Sequence, residues 1–79
     1  MAGKAKTKDW QAEVKGLLKA ELKRRNVSYA DLAEKLAAVG VSDNERNIAN
    51  KIARGSFTAV FLVQCLEAIG AKTVHLEDD

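Results

Sequence analysis

The residues able to do chemistry are few. Nucleophilic catalysis needs a nucleophile, a base and an orienting group, and the single Cys65 and single His75 are the candidates for the first two roles. Cys65 falls on the apolar face of a helical segment, and nothing near it in sequence would lower its pKa, so it reads as a small buried hydrophobe. His75 stands beside Glu77, Asp78 and Asp79, a set that offers a metal weak, flexible ligands and reads more simply as a solvated tail. One Cys and one His build no zinc framework, and a lone Cys makes no intrachain disulfide. No glycine-rich phosphate loop follows a strand, and the carboxylates are scattered over helical surfaces in local pairs such as Glu21 with Arg25. The expectation is a protein that is not an enzyme, with no cofactor, metal or evident small-molecule substrate.

The cations and amides say more. In the run Asp43-Asn44-Glu45-Arg46-Asn47-Ile48-Ala49-Asn50-Lys51-Ile52-Ala53-Arg54, the outward helical positions hold Arg46, Asn47, Asn50, Lys51 and Arg54. Arginine pairs with guanine and asparagine with adenine through two hydrogen bonds in a major groove, while lysine reaches phosphates. The face therefore has the residue types that reading DNA requires. Asparagine is a poor helix former, and Asn44, Asn47 and Asn50 are hard to justify on a plain solvated surface. A second basic region precedes it. Lys15, Lys19 and Lys23 recur at i, i+4 and i+8, a spacing that also serves solubility. With Lys4, Lys6, Lys8, Arg24 and Arg25 they form the densest positive stretch, suited to a phosphate backbone.

Hydrophobic spacing defines the elements that must position these groups. Trp10, Val14, Leu17, Leu18 and Leu22 predict a buried stripe on helix 1, from about Lys8 to Arg25. Ser28 with Asp31 is a capping box that starts helix 2, with Leu32, Ala33, Leu36, Ala37 and Val39 inward and Gly40 as its stop. Ser42-x-x-Glu45 is a second box, predicting helix 3 over about Asp43 to Ala53, with Ile48, Ala49 and Ile52 buried and Gly55 ending it. Phe57 and Thr58 read as staple and cap of helix 4, whose core residues are Phe61, Leu62, Cys65, Leu66 and Ile69 before Gly70. The segment Thr73-Val74-His75-Leu76 has strand-like residues but no strand to pair with in one chain. It reads as an extended tail or as half of a two-chain ribbon.

At 79 residues the chain has room for one small domain, expected as a flexible basic arm at 1–7, a helical domain at 8–70 and an extended acidic tail at 71–79. A chain this short buries only about 60–65% of its unfolded surface, so a second copy would stabilise it, and a homodimer is one expectation. The composition, 47% hydrophobic and 30% charged with no proline, suits an all-α protein. The net charge of +2 hides an asymmetry. Residues 1–25 hold eight Lys or Arg against three acids, residues 26–72 hold five of each, and Glu77, Asp78 and Asp79 end the chain. No apolar run reaches the roughly 20 residues of a membrane span, and the N-terminus lacks the apolar core of a signal peptide, so a cytoplasmic location is expected.

From Leu18 to Ile69 the order of elements resembles the Cro and lambda-repressor type of helix-turn-helix domain. A long first helix is followed by Ser28-Tyr29-Ala30-Asp31-Leu32-Ala33-Glu34-Lys35-Leu36, by Ile52-Ala53-Arg54-Gly55, and by a helix carrying Leu62, Leu66 and Ile69. The resemblance implies that Leu32 and Ala33 pack against helix 3 and that Ile52, Arg54 and Gly55 close a recognition helix. It also implies a four-helix bundle. Tyr29 replaces the family's glutamine after the capping Ser, and Gly40 comes seven residues after Ala33 where the family has about four. Helix 2 is thus longer by nearly a turn and helix 3 enters later. The helical order is similar as well to a group of small bacterial domains of unassigned function.

Two functional expectations follow. In the first the domain binds duplex DNA and regulates transcription, with Arg46, Asn47, Asn50 and Lys51 facing base edges and Lys19, Lys23, Arg24, Arg25 and Arg54 holding phosphates. In the second the same scaffold is a dimerisation or protein-contact module, with Val60, Val63, Val74 and Leu76 as its apolar patch. RNA binding through the basic arm receives no support so long as Trp10 and Tyr29 read as core rather than stacking platforms.

Overall fold

A polar side chain that accepts a free N-terminal N–H opens each of four helices in the computed structural model, which describes residues 9–74. Asp9 caps α1 (Trp10–Arg24), Ser28 caps α2 (Tyr29–Ala38), Asn44 caps α3 (Glu45–Arg54) and Thr58 caps α4 (Ala59–Ile69). The Ser28 box is complete: its Oγ accepts from the Asp31 N–H at 3.0 Å, and the Ser28 N–H donates back to Asp31 Oδ2 at 3.2 Å. Each such cap contributes about 1 kcal/mol. The fold is all-α, and no strand occurs among the described residues.

The helix ends share a device. After α1, Asn26 takes a left-handed φ of 58° while the Val27 N–H reaches back to the Leu22 carbonyl and the Asn26 N–H to that of Lys23. After α2, Gly40 at φ 86° permits the same pair of bonds, from Val41 to Leu36 and from Gly40 to Ala37. This Schellman arrangement satisfies terminal carbonyls and folds the following apolar residue onto the body. Val27 and Val41 accordingly pack against the core.

Helices α1 and α2 each lie against both α3 and α4, whereas the α1–α2 and α3–α4 pairs bring no Cα atoms within 8 Å of each other and meet only through side chains. At the centre, Leu18, Leu32, Leu36, Ile48, Ile52 and Cys65 are fully buried. Leu22, Phe61 and Leu66 complete the core, and the Phe57 ring meets Phe61 edge-on with centroids 5.5 Å apart.

Four details correct the expectations from sequence. Trp10 does not join the buried stripe: it is 65% exposed, because α1 begins there and its first turn overhangs the end of α3. Ala37 and Val39 are exposed, since the turn at Gly40 sends Val41 inward instead. The Ser42-x-x-Glu45 box is not formed; Asn44 Oδ1 accepts from the Asn47 N–H at 2.8 Å, so α3 starts at Glu45. Helix 1 ends at Arg24, one residue early. Residues 71–74 are non-helical and Thr73 and Val74 are exposed. The arm at 1–7, Lys8, His75 and Leu76 lie outside the described residues.

Candidate nucleic-acid interface

Ile48 and Ile52 turn one side of α3 into the core, which leaves Arg46, Asn47, Asn50 and Arg54 exposed on the other. Arg46, Asn50 and Arg54 recur at i, i+4 and i+8 along about 12 Å of helix. Neither Arg46 nor Arg54 has an ion-pair partner among the described residues. The C-terminal end of α3 is held by α1. Gly55 is buried, and a Cβ placed on it would stand 2.6 Å from the Gln11 carbonyl oxygen. Beside it, Lys15 Nζ donates to the Ala53 carbonyl at 3.1 Å.

Lys51 does not face outward with the others. Its ammonium lies 2.7 Å from Asp43 Oδ2 and 4.7 Å from the centre of the Phe61 ring, joining the α2–α3 connection to α3 and α4. The Asp43 side chain is only 7% exposed and also accepts from the Asn44 N–H at 3.0 Å. The hydrogen bond from Lys51 holds the Asp43 carboxyl below its usual range despite burial. Asn44 likewise has a local explanation as the cap of α3, and the exposed Asn47 also hydrogen-bonds the Asp43 carboxylate through its side chain, so Asn50 is the amide on this face without a local role in these contacts.

On α1 the cations divide by role. Lys15 is spent on the end of α3, while Lys19 and Lys23 are exposed and flank an open groove of about 320 Å³ with Leu22, Val27, Ser28 and Tyr29. The lysine line thus runs from the C-terminal end of α3 to the N-terminal end of α2. Arg24 and Arg25 both engage Glu21, the former through Nη2 to Oε2 at 2.7 Å. Glu21 is 2% exposed, and the Arg24 hydrogen bond, opposed by burial, lowers its pKa. One of the two arginine charges is cancelled there, so the pair is not the freely presented phosphate contact read from sequence.

Both carboxylates stabilise the fold above their unfolded values of 4.5 and 3.8, and that contribution is lost as pH falls through the lower folded values. The melting temperature should therefore be level from neutral down to about pH 4.5 and fall below it. Glu21→Gln should melt lower near neutrality and lose less on acidification. A Gln variant with the parent's acid profile would exclude Glu21 as a source of the dependence.

Residues 10–74, from the first residue of α1 to the last described residue, match a family described as a domain of unknown function (DUF6471). The chain belongs to this family. Comparison with curated proteins and with solved structures gives no match. The DUF6471 match spans all four helices, the α3 face and the Lys19–Lys23 groove.

Elsewhere on this DUF6471 domain, Val60 and Val63 stand one turn apart on α4 and are 65% and 61% exposed, and Val74 is exposed beyond it. Cys65 is fully buried and its thiol is pushed up to about 12 by that burial, which keeps it protonated. Among the described residues no helix is long and apolar enough to cross a membrane.

Proposed function

We propose that the domain binds duplex DNA through the exposed face of α3, with Arg46, Asn47 and Asn50 at base edges and Arg54, Lys19 and Lys23 on phosphates. The observation that carries this reading is an α3 face, anchored by Lys51–Asp43 and by the α1 contacts at Gly55 and Ala53, whose two arginines have no ion-pair partner among the described residues. Unneutralised arginines interleaved with amides are suited to bidentate contacts with bases and to phosphate attraction. In this reading α2 and α3 serve as the two helices of a Cro-like helix-turn-helix unit, joined by the longer connection of residues 39–44. A regulator of transcription in the cytoplasm, acting as a homodimer on two half-sites, is the form such a unit takes most simply.

The test is an amide chemical-shift titration with a mixed-sequence duplex, first at low and then at physiological salt. Shifts should concentrate on Arg46 to Arg54 and on Lys19 to Lys23, and weaken as salt rises. Silence at low salt, where even non-specific attraction registers, overturns the reading. The exposure of Trp10 removes one ground for setting RNA aside, and as the sole tryptophan it reports directly. Stronger quenching by single-stranded RNA than by duplex DNA would replace this proposal with an RNA one.

A second reading, a dimerisation or protein-contact module, is favoured by the exposed Val60 and Val63. Sedimentation at high concentration separates the two. A strict monomer removes the α4 dimer, and dimerisation without any nucleic-acid shift favours the module.

A further inference from the structure

We propose that His75-Leu76-Glu77-Asp78-Asp79 docks in the groove between α1 and the start of α2, with Leu76 on Leu22 and Val27 and the acids against Lys19 and Lys23. The groove has an apolar floor of Leu22 and Val27, two exposed ammonium groups one turn apart on its rim, and Ser28 and Tyr29 opposite. A fitting occupant combines one apolar side chain with carboxylates directly beside it. The chain carries such a segment, Leu76 followed by three acids.

The course of the chain brings that segment within reach. Ile69, the last residue of α4, lines a neighbouring depression with Arg25, Asn26 and Val27, and Val27 lines both depressions. Beyond Gly70 the chain turns back on the body: the Ala71 N–H bonds to the Leu66 carbonyl at 2.9 Å, and Ala71 packs against the core. The six Cα–Cα steps from Gly70 to Leu76 span up to about 20 Å, enough to pass from one depression into the next. Along that path Lys35 offsets Glu34, Asp31 is committed to the Ser28 N–H, and Arg25 to Glu21. The cations on the groove itself are Lys19 and Lys23, and the one arginine charge that Glu21 leaves uncancelled in the neighbouring Arg24–Arg25 pair adds to their pull. A linker this short gives the chain's own segment a high effective concentration, which favours it over a second copy.

Docking would occupy the two lysines assigned above to phosphates, so the segment would compete with nucleic acid. That half of the inference rests on the proposed function; the docking itself does not. Amide spectra without nucleic acid compare the parent with a full-length variant carrying Leu76→Ser, Glu77→Lys, Asp78→Lys and Asp79→Lys. The expected result is a change at Lys19, Leu22, Lys23, Val27 and Tyr29, reproduced in the parent by high salt and reversed in the variant by adding the peptide His-Leu-Glu-Asp-Asp. Changes confined to residues 70–79 overturn the docking. Groove signals that move on dilution of the parent overturn it in favour of a second copy. At low salt a Leu76→Ser variant, which keeps all three acids and the parent's net charge, should bind duplex DNA severalfold more tightly than the parent. Equal affinities overturn the competition, whereas failure of both proteins to bind DNA refutes the functional reading and leaves the spectra to decide the docking.

Discussion

Gly55→Ala should lower the melting temperature by at least about 12 °C, the largest effect expected of any single methyl added to this chain. Two terms combine at this position. The backbone sits at φ 70°, a left-handed conformation that costs a non-glycine residue about 1–2 kcal/mol. In addition the new Cβ would lie 2.6 Å from the Gln11 carbonyl oxygen, 3.2 Å from its carbon and 3.3 Å from its Cβ. The carbonyl is backbone inside α1 and cannot swing aside, so relief requires α1 to move off α3. Together the terms exceed about 3 kcal/mol, and a domain of this size melts roughly 4–8 °C lower for each kcal/mol. The control is Gly40→Ala, where φ is 86° but nothing stands within 4 Å of the added carbon. It should lose only the backbone term. Thermal unfolding followed by circular dichroism distinguishes the two, and equal losses would mean that the close approach of α1 does not matter.

That close approach was not legible in the sequence, although Gly55 itself was. A glycine after Ile52-Ala53-Arg54 marks the end of a helix, as Gly40 and Gly70 do, because these stops depend only on local backbone conformation. The caps Ser28 and Thr58 and the core pairs Leu32–Leu36 and Ile48–Ile52 were readable for the same reason: side-chain reach and helical period are local quantities. Where a partner helix ends is not local. Trp10 fits the period of the α1 stripe, yet it is 65% exposed, one residue before the Gln11 that meets the end of α3 at Gly55. Lys51 fits the outward period of α3, yet the connection before α3 folds back and sets Asp43, eight residues earlier, under its ammonium. Glu21 precedes two arginines by three and four residues, a spacing that announced the Arg25 pairing but not the burial of the carboxylate between both.

On the α3 face the difference between local and non-local contacts decides which residues to remove. From sequence, Arg46 with Lys51 would be the natural pair. In the fold Lys51→Ala strips the ammonium from an Asp43 carboxylate that is only 7% exposed and leaves it the Asn44 N–H and the Asn47 side chain, a loss of about 1–3 kcal/mol at the start of α3. Loss of binding in that variant would be indistinguishable from loss of the fold. Arg46→Ala with Arg54→Ala avoids the ambiguity, because both side chains are exposed and neither has an ion-pair partner among the described residues. The pair should leave the melting temperature nearly unchanged, as surface substitutions generally shift stability by no more than about 0.5 kcal/mol. If the proposed interface holds, each arginine contributes about 1–3 kcal/mol to duplex binding, so their joint removal should weaken it by about 30-fold or more. Fluorescence anisotropy across a salt series divides the effect further. Removing a phosphate-binding arginine at position 54 lowers the slope of log affinity against log salt by about one, whereas removing a base-reading arginine at position 46 weakens binding with little change in slope. Asn50→Ala extends the argument to an uncharged group: it should leave the slope intact and relax preference at one base pair. A double variant that stays folded and binds duplex as tightly as the parent at every salt concentration removes α3 as the reading helix.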